Sequence, residues 1–306
     1  MKRTITLLLT LCVLLALAAC GGGQSDSATV MVINDGNFAE MCIVHNMVKE
    51  LVEAETDIIV EIRDGMDAPM LFSELTSGRS DIMNSYDGTL LTTFLHLIPD
   101  DVPDGVSLYD FVNEQGREMR SVMLLDKLGI NNTYTIATTR EIADRYGLVT
   151  ITDLAAVAEE LSFGAEHDFF TEEGRSKYAP FSQFYGLNFK DARQIDINLK
   201  YAAIQNGNID VTVVYATDGM NREADLVILV DDRAFFPEYN GALLVNTDFF
   251  DKFREAAPNL QQVMAKLGGL ITDEDMIGMT YDVDLNGRSP EEVAKEFLQQ
   301  KGLISG

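Results

Sequence analysis

A short sequence pattern occurs twice in this chain with identical spacing. It consists of a glycine, an aspartate three residues later and a tyrosine five residues after that: Gly78, Asp81 and Tyr86 in GRSDIMNSYDGT, then Gly207, Asp210 and Tyr215 in GNIDVTVVYATDG. A short helical segment precedes each glycine, and a hydrophobic stretch long enough for one buried strand follows it. Ligands of open α/β sheets bind beyond the carboxyl ends of strands. The repeat therefore predicts two lobes, each directing a tyrosine toward a shared cleft.

The amino terminus has the features of a lipoprotein signal peptide. Lys2 and Arg3 form a basic region, residues 4–16 form an apolar run too short for an ordinary membrane span, and small residues precede Cys20. We expect cleavage before Cys20, lipid attachment to its thiol, and a flexible tether over residues 20–27. The alternative is a plain secretory signal with a cysteine there by chance. Residues 1–19 are excluded from the fold, and the body is expected in water at the extracytoplasmic face of the cell membrane.

The chain is strongly acidic, with 23 Lys and Arg residues against 49 Asp and Glu residues and a net charge of -26. Removal of residues 1–19 would take away only Lys2 and Arg3 among the charged residues. Phosphate backbones attract basic patches, and the sequence shows none. Nucleic acid is therefore not expected as a partner. The negative charge would favour the approach of cations, although it serves solubility equally well.

The cysteines and histidines do not indicate a disulfide or a metal site. Cys12 leaves with the signal peptide and Cys20 would carry lipid, so Cys42 is the one cysteine left in the mature body. The three histidines are not at metal-ligand spacing from one another. We therefore expect no cofactor and no metal.

Predicted strands and helices alternate from residue 29 onward, which indicates an α/β fold with a parallel sheet. TVMVIN at 29–34 begins the series, and a helix that starts near Asn37 buries one apolar face. Residues 99–117, rich in Asp, Pro and Gly, are expected to form a surface excursion, and a second series starts at NNTYTIATT. We predict a first lobe from residues 28–131 and 239–306 and a second lobe from residues 132–238.

Several long segments in the same order resemble the substrate-binding proteins of ABC importers for glycine betaine, carnitine and choline. They include ITDLAAVAEELSFGAEHDFF, YGLNFKDARQIDINLKYAAIQNGNIDVT, YATDG, DDRAFFPEYNGALLV and SPEEVAKEFLQQKGLI, and they cover most of the mature chain. The resemblance implies a two-lobed periplasmic-binding-protein α/β fold of type II, with two crossing strands as its hinge. It also implies no covalent chemistry, and partners in an ABC permease and ATPase. We expect the protein to be a monomer.

The ligands of this family carry a quaternary ammonium group, which has no N–H to donate. A protein holds such a group through shape, negative charge and the faces of aromatic rings. The chain has 10 Tyr and 16 Phe but no Trp. Carried over by motif, the cage tyrosines of the family fall on Tyr86 in NSYDGT, Tyr134 in NNTY, Tyr215 before ATDG and Tyr239 in FFPEY, and Thr89 keeps a hydroxyl for a polar ligand group. The alternative is that these tyrosines only support strand ends.

Departures from the family pattern bear on the ligand. Relatives commonly meet a ligand carboxylate with a glutamine in an FTEQ-like stretch and with an arginine shortly after EHxFF. Met41 and Glu172 stand at those two places here, which indicates that an anion receptor has been lost, although Arg175 could replace it from a longer loop. Asp87 adds an acidic group beside the cage, unless it serves only as a helix N-terminal residue. A choline-like cation is therefore favoured, and zwitterions such as glycine betaine, carnitine or ergothioneine become possible if Arg175 reaches the cleft.

Two further features point to other functions. Residues 282–287 (DVDLNG) imitate the start of a calcium loop, but Val293 stands where the bidentate glutamate is required, and a capping box at 289–292 explains the segment. Glu166, His167 and Asp168 could form an acid–base cluster, but no Ser or Cys nucleophile motif accompanies them. We therefore expect no enzymatic activity. A lipid-anchored sensor subunit with the same fold is the remaining alternative.

The first prediction concerns the anchor. Cys20→Ala should prevent lipid attachment because alanine has no thiol, and it should leave an unprocessed precursor or a protein released from the membrane. Membrane fractionation and metabolic labelling with a fatty-acid analogue measure this, with Cys42→Ala as the matched control that keeps its label. A Cys20→Ala protein that is lipid-labelled and fully retained in the membrane would refute the anchor.

Overall fold

The computed structural model describes residues 29–170, 176–196 and 199–306. The predicted signal peptide and the whole tether, including Cys20, lie outside these residues, and so do Glu172 and Arg175. Among the described residues, no helix is both long enough and apolar enough to cross a membrane.

Strands and helices alternate through most of the described chain. The strands are β1 (Val30–Asn34), β2 (Ile59–Arg63), β3 (Ile82–Tyr86), β4 (Val122–Asn131), β5 (Tyr134–Thr139), β6 (Ser162–Ala165), β7 (Asp191–Gln194), β8 (Val211–Tyr215), β9 (Leu226–Leu229) and β10 (Asn240–Asn246). The α-helices are α1 (Ala39–Glu55), α2 (Ala68–Thr76), α3 (Asp87–Thr89), α4 (Leu108–Arg120), α5 (Arg140–Tyr146), α6 (Ile151–Ala155), α7 (Tyr178–Tyr185), α8 (Lys200–Gln205), α9 (Met220–Glu223), α10 (Phe249–Phe253), α11 (Leu260–Ala265), α12 (Asp273–Asp284) and α13 (Pro290–Gln300).

The strands form two five-stranded sheets, in the orders β2-β1-β3-β10-β4 and β7-β6-β8-β5-β9. In the first sheet β1 is parallel to β2 and β3, whereas β10 is antiparallel to β3 and β4. In the second sheet β6 is parallel to β7 and β8, whereas β5 is antiparallel to β8 and β9. Both sheets are therefore mixed, unlike the parallel sheet that the alternation predicted. In each sheet the antiparallel strand is the one that enters from the other sheet.

Each sheet has its own apolar core. One core packs β1 and α1 against the carboxyl-terminal helices and includes Met31, Ile43 and Phe297, while another lies on the second sheet and includes Phe163 and Val213. Burial of each large apolar side chain contributes about 1.5–3 kcal/mol. The proposed lobe boundaries at 131/132 and 238/239 stay a prediction. The chain passes between the two sheets at residues 132–133 and 230–239.

Both copies of the repeated pattern fold as helix, turn, strand and tyrosine. Gly78 and Gly207 end the preceding helices with φ of +74° and +68°, a left-handed conformation that favours glycine. Asp81 accepts a hydrogen bond from the Val32 backbone N–H at 2.9 Å. Asp210 accepts one from Ser162 N–H at 2.8 Å. Each aspartate thus ties its strand to the parallel neighbour, and each strand ends in a tyrosine.

The segment predicted as a surface excursion contains a helix instead. α4 begins after Ser107, whose hydroxyl accepts the Asp110 N–H at 3.1 Å as an N-cap, and it buries Val112 and Gly116. The polar composition that suggested a loop is that of a helix with one narrow buried face. Earlier in the chain, α3 passes directly into a π-helical turn at Leu90–Phe94.

Candidate ligand-binding site

Strand pairing brings the four predicted tyrosines together in two stacked pairs. Tyr134 of β5 is the register partner of Tyr215 of β8, and their ring centroids are 5.0 Å apart with an interplanar angle of 26°. Tyr86 ends β3, Tyr239 directly precedes the neighbouring β10, and their ring centroids are 5.1 Å apart at 30°. The second sheet thus supplies one pair of rings, and the first sheet with the entry to β10 supplies the other.

A glycine and a threonine fix the ring of Tyr239. The hydroxyl groups of Thr89 and Tyr239 lie 2.7 Å apart, within hydrogen-bonding distance. A Cβ atom on Gly88 would lie 2.1 Å from a carbon of the Tyr239 ring. Any larger residue at position 88 would displace this ring. The glycine in the stretch NSYDGT is therefore explained by how closely the Tyr239 ring packs on the backbone of α3.

Two adjoining cavities border the rings. The first has a volume of about 450 Å³ and is lined by Phe38, Ala39, Glu40, Tyr86, Thr89, Asn132, Tyr215, Thr217, Asp218, Tyr239, Thr280 and Asp284. The second, of about 560 Å³, shares Asn132, Tyr215 and Tyr239 with the first and adds Tyr134 and a largely apolar wall. These volumes lie within the usual range for sites that bind small molecules. All four tyrosines and Thr89 therefore face cavity space.

Two other predicted residues lie elsewhere. Met41 is 3% exposed and packs in an apolar cluster with Leu71 and Met83, and it lines neither cavity. Asp87 is completely buried. Its carboxylate accepts the backbone N–H groups of Gly88 at 2.8 Å and Asn240 at 2.9 Å, and the Asn240 side-chain amide at 2.7 Å. Burial raises the pKa of Asp87. In this arrangement Asp87 ties α3 to β10.

Glu40 is a site residue that sequence reasoning missed. It stands in the first turn of α1, next to Met41, and is 3% exposed. Its Oε1 accepts a hydrogen bond from the Tyr86 hydroxyl, and its Oε2 accepts one from the Thr217 hydroxyl at 2.6 Å. Burial raises the pKa of Glu40, and these two hydrogen bonds oppose that effect. The signal in the sequence was its place in the stretch NFAEMC, which matches the FTEQ-like segment of the family.

The segment that follows Tyr215 packs closely against α12. Thr280 of α12 donates its hydroxyl hydrogen to the backbone oxygen of Thr217 at 3.1 Å. A Cβ atom on Gly219 would lie 2.4 Å from the backbone nitrogen of Tyr281. The Arg222 guanidinium lies 4.9 Å from the ring centroid of Tyr281. The residues ATDG therefore join the end of β8 to a helix that packs on the first sheet.

The residues behind the two alternative functions have other partners. Glu166 forms an ion pair with Lys200 at 3.2 Å, and His167 Nδ1 lies 3.2 Å from the side-chain oxygen of Gln194. In the suspected calcium segment, the Asp282 carboxylate accepts a hydrogen bond from Arg288 at 2.8 Å, and Ser289 caps α13. Within the described parts of the chain there is no group of three His, Cys, Asp or Glu residues placed to hold a metal ion.

The buried Glu40 carboxyl generates the second prediction. A folded-state pKa raised above the usual 4.5 means that folding favours the protonated form, so the contribution of Glu40 to stability is present at low pH and is lost as pH rises through the raised pKa. Glu40→Gln stays neutral. The free energy of unfolding of Glu40→Gln minus that of the parent should therefore increase with pH. The total increase should be about 1.4 kcal/mol for each unit by which folding raises the pKa of Glu40.

Urea unfolding of both proteins from pH 4 to pH 8 measures this difference. Glu159→Gln, at an exposed position, is the matched control, and its difference from the parent should stay flat. A Glu40→Gln difference that is flat or falls with pH would contradict the prediction.

The chain matches a known protein family over most of its length. The family described as the substrate-binding domain of ABC-type glycine betaine transport systems matches residues 30–300. The carnitine transport binding protein OpuCC of Listeria monocytogenes is 30% identical over 305 residues, which are 99% of this chain and 95% of that protein. The ergothioneine transport permease/ergothioneine binding protein EgtU of Helicobacter pylori strain G27 is 31% identical over 229 residues, which are 75% of this chain and 40% of that protein.

Solved structures show the same fold. A crystal structure of a glycine betaine/carnitine/choline ABC transporter matches with a TM-score of 0.82 and 27% identity, covering 91% of this chain and 100% of that chain. The apo structure of YehZ from Escherichia coli matches with a TM-score of 0.76 at 20% identity, covering 90% of this chain and 100% of that one. The chain therefore belongs to the family of substrate-binding domains of ABC-type glycine betaine transport systems, which are two-lobed α/β solute-binding proteins and not enzymes.

Proposed function

We propose that this protein captures a quaternary ammonium compound outside the cytoplasmic membrane and delivers it to the permease and ATPase subunits of an ABC importer. In this proposal Cys20 carries a lipid anchor and the protein acts as a monomer. The ligand lies between a lobe of residues 28–131 with 239–306 and a lobe of residues 132–238. The names of the relatives, which refer to carnitine and ergothioneine, support this class of ligand.

The observation that carries the proposal is the pair of tyrosine stacks beside one cavity. Tyr86, Tyr215 and Tyr239 line the first cavity, and Tyr134 stacks on Tyr215. A quaternary ammonium is attracted to the negative face of an aromatic ring and offers no hydrogen to a polar partner. Glu40 adds a carboxylate to the same cavity. Rings with a nearby negative charge form the environment that such a cation requires.

The rings alone do not supply the affinity of a transport protein. Each desolvated cation–π contact contributes about 0.5–2 kcal/mol, so four rings give at most about 8 kcal/mol. Micromolar binding corresponds to about 8.2 kcal/mol after association costs of at least about 4 kcal/mol have been met. Groups outside the cage must therefore contact the remainder of the ligand.

A choline-like cation is the favoured ligand. Among the described residues, the lining of the first cavity includes the carboxylates of Glu40, Asp218 and Asp284 and contains no lysine or arginine. A ligand carboxylate placed there would lose several kcal/mol of hydration without gaining a cationic partner. A zwitterionic betaine is the alternative, and it requires Arg175 to act as the anion receptor.

The third prediction tests the cage. Replacement of Tyr86, Tyr134, Tyr215 or Tyr239 by alanine should each weaken binding of the best ligand by about 0.5–2 kcal/mol or more, because a ring face is lost. Replacement by phenylalanine at positions 134, 215 and 239 should weaken binding less than alanine does, because the ring face is kept. At position 86 it should cost more than at the others, because the buried Glu40 carboxylate loses a hydrogen-bond donor.

Isothermal titration calorimetry with choline, glycine betaine, carnitine and ergothioneine provides the measurement. Tyr146→Ala is the matched control, since Tyr146 bonds Glu160 and lines none of the cavities at the tyrosines. If all four cage variants bound like the parent, the assignment of the cage would be wrong.

The fourth prediction concerns the ligand class. We expect the parent to bind choline more tightly than glycine betaine, and Glu172→Arg to shift the preference toward glycine betaine by supplying a cationic partner for its carboxylate. The rival is that Arg175 already serves as the receptor. In that case Arg175→Ala abolishes binding of glycine betaine and Glu172→Arg has little effect. Titration of both variants with both ligands separates the two, and tighter binding of glycine betaine by the parent would overturn the choline preference.

A further inference from the structure

A buried ion pair lies against one ring of the proposed cage. Lys200 Nζ is 3.2 Å from Glu166 Oε2, and the two residues are only 1% and 6% exposed. The same ammonium group lies 5.5 Å from the ring centroid of Tyr215 and 5.5 Å from that of Tyr201. Burial of an unpaired charge is costly, so a charged group at this depth needs a partner of opposite charge. Glu166 supplies that charge through one of its two carboxylate oxygens.

The second carboxylate oxygen of Glu166 lacks a partner. Oε1 is shielded from solvent, and no hydrogen-bond donor among the described residues reaches it. An ionised carboxylate can accept about four hydrogen bonds. Buried polar atoms in folded proteins nearly always find a partner, so an oxygen left without one calls for a donor that the chain itself does not supply.

Glu166 also lines a third cavity, and Glu40 is not among the residues that border it. This cavity has a volume of about 490 Å³ and is bordered by Tyr134, Tyr215, His167, Gln194, Ile195 and Asp196 in addition to Glu166. Tyr215 lines all three cavities. Lys200 lines none of them. Glu166 therefore borders space that it shares with Tyr134 and Tyr215, and its cationic partner Lys200 does not border that space.

We propose that Glu166 Oε1 accepts a hydrogen bond from a donor on the ligand, either a hydroxyl group or a ring N–H carried by the quaternary ammonium compound. Lys200 is a positioning residue that holds the other carboxylate oxygen of Glu166. The site thus selects ligands that bear such a donor and disfavours those in which the donor is methylated. This inference rests on the proposed function, because it assumes that the quaternary nitrogen lies at the tyrosines.

Matched ligands and matched variants test the inference. The ligands are choline with its O-methyl ether, and ergothioneine with a derivative methylated at its ring nitrogens. Tetramethylammonium, which has no donor, reports binding at the tyrosines alone. The variants of the full protein are Lys200→Met with Glu166→Leu, which removes the acceptor at unchanged net charge, and Lys200→Met with Glu166→Gln, which keeps a neutral acceptor. Circular dichroism checks that each variant folds.

The expected result is a ratio of dissociation constants. The parent should prefer one donor-bearing ligand over its methylated partner by about ten- to a hundredfold, the usual effect of a hydrogen bond to a charged group. The Leu double variant should bring this ratio close to one, and the Gln double variant should keep part of it. The pair that shows the preference identifies the donor as a hydroxyl or as a ring N–H.

The outcomes separate this inference from the function on which it rests. If the parent binds tetramethylammonium but discriminates in neither ligand pair, the role of Glu166 is wrong and the cage proposal stands. A Leu double variant that folds and keeps the parent ratio also overturns the inference. If the parent binds no quaternary ammonium compound at all, the proposed function itself fails. The ratio of dissociation constants for each ligand pair is measured on the unmodified protein, so this part of the test does not depend on whether the variants fold.

Discussion

Strands β5 and β10 each enter their sheet from the other sheet, and their antiparallel register determines where the site residues lie. Tyr134 pairs with Tyr215 between β5 and β8, and Gly241 pairs with Tyr86 between β10 and β3. Because side chains alternate between the two faces of a strand, a slip of one residue would turn a ring away from its partner. The register is held by backbone hydrogen bonds of buried strands and by apolar cores to which, of the four cage tyrosines, Tyr134 alone contributes, at an edge. The geometry of the site is therefore imposed by the scaffold.

Glu40 shows how the two sheets are coupled chemically. A carboxylate removed from water is stable only when donors replace its hydration. Its two donors come from different places, Tyr86 at the end of β3 and Thr217 after β8. Any movement that draws Thr217 away from α1 would leave one carboxylate oxygen without its donor. The hydrogen bond that Thr280 donates to the backbone of Thr217 opposes such a movement.

The sequence predicts the strand ends well and the buried polar contacts poorly. Tyr86 and Tyr215 could be located because a glycine, an aspartate and a hydrophobic run give local signals that need no knowledge of the rest of the chain. The partners of Asp87 and Glu40 are distant in sequence, at Asn240 and Thr217. No local pattern specifies such pairings. The mixed sheets could not be predicted for the same reason, since strand direction depends on how the chain crosses between the sheets.

The two buried carboxylates beside the tyrosines are compensated in different ways, and this difference bears on cation selectivity. Glu166 is matched by a lysine ammonium, so its pair with Lys200 carries no net charge. Among the described residues, Glu40 is matched by two hydroxyl groups and by no cation, and nearby Asp273 and Asp218 raise its pKa further. A cation at the rings would favour the ionised form of Glu40, because an opposite charge lowers the pKa of a carboxyl. A quaternary ammonium at the rings and the ionised form of Glu40 would therefore stabilise each other, whereas an anion at the same place would disfavour that form.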